Sequence, residues 1–159
     1  MKFLRISWGK FEKMCSALSR KVVKYKPEVL IGISRGGLVP VRIMSDMLNI
    51  QDIQTIRIQF YRTIGKTNSE PKLTQGQDIH IKGKRVLVID DIADTGKSLL
   101  AAQKYLKQKT PKMLKFATFH YKPASLFKPD YYLKKTNDWI IYPWEKLEME
   151  RELKALNQR

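Results

Sequence analysis

The chain has a single cysteine, Cys15, so no disulfide can form within it and no cysteine-based metal cluster can be assembled. Zinc-finger spacing is missing, as are internal repeats and any RNP-type aromatic motif. No apolar run approaches the roughly 20 residues that span a bilayer as a helix. The opening "MKFLRISWGK" is too short in its apolar part for a signal peptide. No membrane role is therefore expected, and the cytoplasm is the expected compartment. Acids are scarce: 15 Asp and Glu stand against 31 Lys and Arg, a net charge of +16. What remains is ample for a core. At 159 residues with 43% hydrophobic and 10% aromatic side chains, the chain reads as one globular domain, with room for a small appended lobe.

The positive charge concentrates in the second half. Nine lysines and one acid, Asp130, fall between Ala101 and Lys135. Such a surface attracts polyanions, from nucleic acid to small phosphates. A solvated lysine-rich face accounts for it equally well. Nucleic-acid binding rests on charge alone and is not predicted.

Trp8, Phe11, Cys15, Leu18 and Val22 step by three and four, which predicts an amphipathic helix over about 8–25, ended by Pro27. "VLIGIS", 29–34, is short, continuously apolar and β-branched, as a buried parallel strand should be. A helix follows over about 37–48, with Pro40 tolerated in its first turn. "IQTIRIQFY", 53–61, alternates like a strand. The polar stretch 62–78 reads as a long loop, which in a compact domain is either a functional lid or disordered. "RVLVID", 85–90, is a third strand, 97–108 a helix with Leu99, Ala102 and Leu106 on one face, and "MLKFATFHYK", 113–122, a fourth strand. This order predicts an α/β fold with a mostly parallel sheet flanked by helices. The expected organisation is a core over 1–122 and, over 123–159, a small aromatic-rich lobe with a charged terminal helix.

In such sheets ligands bind beyond the carboxyl ends of the strands. The strand ends here are Ser34-Arg35-Gly36-Gly37, Tyr61-Arg62, Asp90-Asp91 and Tyr121-Lys122. "DDIADTGKS", 90–98, is the richest of them. Thr95, Gly96, Lys97 and Ser98 stand at a helix start, where unsatisfied amides, two hydroxyls and an ammonium make a phosphate cup. Two adjacent carboxylates suit vicinal hydroxyls or hydrated Mg²⁺. A Walker A loop would need glycine where Asp91 stands. "GISRG" has the G-x-S-x-G spacing of a hydrolase elbow, but His120, the histidine in the right chain order, lies inside a strand pattern. A glycine-rich turn whose amides hold an anion is the better reading of 32–37.

"VLVIDDIADTGKS" resembles the 5-phosphoribosyl-1-pyrophosphate (PRPP) signature of the type I phosphoribosyltransferases, and "ISRGG" resembles their pyrophosphate loop. "KPDYYLKKTNDWIIYPWE" is similar to the hood of short purine phosphoribosyltransferases of the xanthine-guanine and archaeal 6-oxopurine kind. The resemblance spans about 28–145. It implies transfer from PRPP to a purine, 6-oxopurine preferred, giving a nucleoside monophosphate and pyrophosphate with Mg²⁺ as cofactor. It implies that Asp94, Thr95, Gly96, Lys97 and Ser98 surround the 5′-phosphate, with Asp94 also the general base at N7. Asp90 and Asp91 would take the ribose hydroxyls, and Asp91 would reach the metal through water. Ser34, Arg35 and Gly36 would hold pyrophosphate, with a cis peptide at Ser34–Arg35. Lys122 would meet the 6-oxo group, Trp139 would stack on the base beside Ile140, and Glu145 would supply a further carboxylate to the metal. A homodimer or higher homo-oligomer is implied as well. Many relatives carry a Ser-Tyr pair in the mobile loop, and this chain has none there.

Plainer roles stand beside these. Asp90 and Asp91 could form a turn, Trp139 could be lobe core, Lys122 an exposed strand-end lysine, and Glu145 a helix cap. Two functional alternatives also remain: adenine specificity, and a nucleotide-sensing, nucleic-acid-binding regulator on the same fold.

Overall fold

The structure, a computed structural model, describes residues 3–61, 70–76 and 78–157. Its elements run β1 (Phe3–Arg5), α1 (Trp8–Val22), β2 (Val29–Ser34), α2 (Leu38–Leu48), β3 (Ile53–Tyr61), β4 (Glu70–Gln75), β5 (Arg85–Ala93), α3 (Lys97–Lys107), β6 (Met113–Tyr121), β7 (Tyr131–Lys135), β8 (Trp139–Ile141) and α4 (Lys146–Asn157). Six strands form one sheet in the order β4-β3-β2-β5-β6-β7, parallel throughout except for the β3–β4 pair.

The α/β expectation holds, and local chemistry explains the elements. The Ser7 hydroxyl accepts the Lys10 amide and starts α1. Phe11, Cys15, Leu18 and Val22 then bury one stripe against the sheet, and after a 3-10 turn over Val23–Tyr25, Lys26 in the left-handed region followed by Pro27 ends the helical run. Trp8, expected on that stripe, is 55% exposed, because the first turn overhangs the core and leans on Trp144. β2 and β5 are buried on both faces, as central parallel strands are. One core layer lies between the sheet and α3, through Leu99, Ala102 and Leu106. The other lies between the sheet and α1 with α2, through Phe11, Leu18, Val41 and Met44.

Three differences from the sequence reading matter. The expected 62–78 loop contains a strand: β4 runs antiparallel to β3, with Leu73 packed on the core and Pro71 tolerated because β4 is an edge. The rest of that loop, 62–69 and 77, lies outside the described residues. The strands do not divide at residue 122: β7 pairs in parallel with β6 and extends the main sheet. The hood instead centres on β8, which pairs with the N-terminal β1 (Phe3 opposite Trp139, Arg5 opposite Ile141).

Candidate active site

The chain leaves β2 through α2 toward β3 on one side, and leaves β5 through α3 toward β6 on the other. α2 and α3 pack on opposite faces. The carboxyl ends of β2 and β5 therefore splay apart and open a crevice between them, the usual ligand position in such sheets. A cleft of about 270 Å³ lies there. It brings together Arg35, Asp91, Asp94, Lys122, Trp139, Ile140 and Glu145 from the sequence-predicted set. Ser34, Gly36 and Asp90 stand beside Arg35 and Asp91 at the ends of β2 and β5, and 95–98 form the adjoining turn.

The turn after β2 is held close to β5. A methyl group at Gly36 would run into the Asp91 carboxylate, so only glycine lets the turn approach it. The Ser34–Arg35 peptide is cis. The Arg35 side chain projects from this turn, 72% exposed, and donates from one guanidinium nitrogen to both Glu148 oxygens at 2.9 and 3.1 Å. Glu148 accordingly raises the Arg35 pKa. His120 is not placed to serve Ser34. It is buried in β6, with Nδ1 2.7 Å from the Tyr142 hydroxyl, and burial first, then Lys134 and Lys10, lowers its pKa to about 4.

The turn after β5 forms the second glycine-containing rim of the cleft. Gly96 sits at the start of α3 with φ +79°, and a Cβ there would lie 2.5 Å from the Phe127 nitrogen and from the Ser125 hydroxyl. Glycine is needed both for the angle and for the contact. No side chain caps the helix at Gly96, and the Thr95 hydroxyl makes only a long 3.4 Å contact with the Lys97 amide. The first amides of α3 are thus left without a side-chain cap, with Lys97 exposed beside them, and such a helix start can receive a small anion.

Between the two turns lie Asp90 and Asp91, 9% and 7% exposed. Asp90 accepts the Asp91 amide and Asp91 accepts the Ile92 amide. Burial raises both pKa values above the usual carboxylate range; the Asp91 charge adds to the effect on Asp90, and Glu145 to that on Asp91. Burial also raises Glu145, whose carboxylate accepts the Tyr142 amide at 3.0 Å. These acids are better hosts for something cationic or hydroxyl-bearing than neighbours for one another.

Lys122 closes the far wall. Its ammonium is 2.9 Å from an Asp94 oxygen and 5.4 Å from the centre of the Trp139 ring. Its backbone amide is tied to the Ala93 carbonyl, so the lysine is anchored where β5 and β6 end together. Trp139 is 40% exposed and has a face to offer, whereas Ile140 is buried. The sequence reading expected α4 as a charged terminal helix but not its place at the cleft, and it gave Tyr142 no role. Glu148, Met149 and Glu152 of α4 also line the cleft. The signal was present, since Glu145, Glu148, Met149 and Glu152 fall at i, i+3, i+4 and i+7, one face of a helix.

A family model described as a phosphoribosyl transferase domain matches residues 7–146. A xanthine-guanine phosphoribosyltransferase of Nitratidesulfovibrio vulgaris is 30% identical over 147 residues, 91% of this chain and 85% of that protein. Among solved structures, a purine phosphoribosyltransferase from Pyrococcus horikoshii superposes with a TM-score of 0.85 at 35% identity, covering 91% of this chain and 95% of that one. The xanthine-guanine-hypoxanthine phosphoribosyltransferase of Helicobacter pylori gives 0.78 at 27% identity, covering 99% of each chain.

Proposed function

The chain belongs to the phosphoribosyltransferase family, and from that premise we propose that it transfers the 5-phosphoribosyl group of PRPP to a 6-oxopurine. The products are pyrophosphate and a nucleoside 5′-monophosphate. The observation that carries the purine side of the reading is the Lys122 cluster. An ammonium paired with Asp94 and lying over Trp139 presents a donor, an acceptor and an aromatic face at one point. A 6-oxopurine has its carbonyl oxygen and N7 side by side on one edge. Lys122 has three N–H donors, so it can donate to the oxygen while keeping Asp94. Asp94 then stands at N7. The 6-amino group of adenine would turn a donor toward the ammonium.

The other half of the cleft takes PRPP. The amides and hydroxyls of 95–98, with Lys97, hold the 5′-phosphate. Asp90 and Asp91 accept the ribose hydroxyls, and the amides of 34–36 with the Arg35 guanidinium hold the pyrophosphate. In the reaction N9 of the base bonds to C1 of the ribose as the C1–O bond to pyrophosphate breaks. The electron pair leaves with pyrophosphate, and the N7 proton passes to Asp94. Donors set in place around the leaving group stabilise its developing charge without reorganising.

The acid set fits Mg²⁺: the donors are hard carboxylate oxygens, and burial makes them costly to ionise without a cation. Asp91, through water, and Glu145 would hold it. Among the described residues no three His, Cys, Asp or Glu side chains form an all-protein cage, so water and substrate oxygens would complete the shell. When bound, the ion supplies positive charge to the leaving pyrophosphate. The same proposal includes a homo-oligomer working in the cytoplasm. Incubation with PRPP, Mg²⁺ and each purine in turn, following pyrophosphate release, tests the function. Release with guanine, hypoxanthine or xanthine is expected. No release with any base would overturn the reading, and release with adenine alone would overturn the 6-oxopurine assignment.

A further inference from the structure

The ladder between β2 and β5 ends where Gly32 meets Ile89, so at Asp91 strand β5 has no partner on that side. The hood reaches in at this point. The Tyr142 hydroxyl donates to the Asp91 carbonyl at 2.8 Å, and His120 Nδ1 is 2.7 Å from the same hydroxyl. A tyrosine hydroxyl has one proton, and a carbonyl can only accept. With that proton given to Asp91, His120 Nδ1 carries its own and donates to Tyr142. The line His120 to Tyr142 to Asp91 thus has a single direction. All three residues are buried, at 2%, 1% and 7% exposure, and they come from β6, the hood and β5.

Neither His120 nor Tyr142 has a role in the chemistry above. Tyr142 is nonetheless the joint between its two halves. Its side chain holds the residue that takes the ribose, and its backbone amide is held by Glu145. Two and three residues before it are Ile140 and Trp139, the base side of the cleft. Its ring stacks on Trp144, with centroids 4.9 Å apart and planes 4° from parallel.

We propose that Tyr142 and His120 are positioning residues, a buried hydrogen-bonded line that fixes the base-binding hood to Asp91, so that the base and the ribose carbon it attacks are held in register. Displacements of about 1 Å between reacting groups cost on the order of 10²-fold in rate. The line would therefore act on turnover and on ligands that span both halves, and little on ligands that fill one half.

The inference rests on the phosphoribosyltransferase reading, and the test separates the two. Tyr142→Phe removes one oxygen and keeps the stacked ring. Calorimetry with IMP, which spans base and ribose sites, and with PRPP, which fills one side, should show at least a tenfold weaker IMP and a PRPP affinity within threefold of the unaltered protein. Turnover should fall by a similar factor at temperatures well below the melting point. His120→Asn, which keeps an N–H near the Nδ1 position, should stay within threefold of the unaltered protein in both, whereas His120→Leu should resemble Tyr142→Phe. A Tyr142→Phe protein with a lower melting temperature but unchanged IMP affinity would overturn the inference. So would His120→Asn behaving like His120→Leu. An unaltered protein that bound neither IMP nor PRPP would overturn the function itself.

Discussion

At the scale of single residues, the base role proposed for Asp94 predicts a split between binding and chemistry. Asp94→Asn keeps the size of the side chain and removes its basicity, so kcat should fall on the order of 10²- to 10⁴-fold. PRPP affinity, measured by calorimetry, should change only a few-fold, and a large loss of affinity would contradict the base role. Gly36→Ala should behave in the opposite way. The added methyl meets the Asp91 carboxylate, so the turn must retreat from it. A displacement costing about 1–3 kcal/mol raises the KM for PRPP roughly five- to 150-fold. His120 reports on the fold through pH. Its folded pKa of about 4 lies below its ordinary value of 6.5, because burial, then Lys134 on β7 and Lys10 on α1, disfavour the charged ring; its neighbour Tyr142 stays neutral, its own pKa raised by burial. A depressed histidine contributes stability that is complete above the unfolded value and is lost as pH falls toward 4. Urea unfolding at pH 7 and pH 4 should therefore show the unaltered protein losing ground to His120→Asn as the pH drops. A constant difference would contradict this.

At the scale of elements, α4 contributes to the lining of the cleft and engages Arg35 through Glu148. Both side chains are largely in solvent, at 72% and 43% exposure, so their pairing is worth only about 0–1 kcal/mol. Pyrophosphate would compete with Glu148 for the same guanidinium. Glu148→Gln should leave the melting temperature nearly unchanged and lower the KM for PRPP a few-fold; a raised KM would show that Glu148 assists binding. Helix and strand placement also shows what the sequence could reveal. β2 falls on 29–34 as read from its continuous β-branched run, the mark of a buried central strand, and β3 on 53–61 as read from its alternation. β4 escaped because its inward side rests on Leu73 alone, and β1 and β8 because three-residue strands from opposite ends of the chain have no local signature. The site divides similarly. Asp90, Asp91 and 94–98 were legible because few folds place such residues after a buried strand. Glu148 over Arg35, and Tyr142 against the Asp91 carbonyl, depend on long-range packing that no local pattern records.

For the whole molecule, charge is unevenly shared. The chain carries +16, yet among the described residues the cleft is lined by Asp91, Asp94, Glu145, Glu148 and Glu152 against Arg35 and Lys122. Cations therefore dominate the surface outside the mouth, and a highly anionic substrate approaches through their field. Such a field raises association rates at low salt and fades as the Debye length shrinks. The kcat/KM for PRPP should fall between about 10 and 200 mM salt with kcat nearly constant, and an unchanged kcat/KM would assign the lysines no part in capture. The most direct measurement of the central claim is a competition. The protein is given PRPP and Mg²⁺ with guanine, hypoxanthine, xanthine and adenine together at equal concentration, and the nucleotides formed are identified by mass. Accumulation of 6-oxopurine monophosphates with pyrophosphate, and no AMP, is the predicted result. AMP as the main product, or no nucleotide at all, would contradict it.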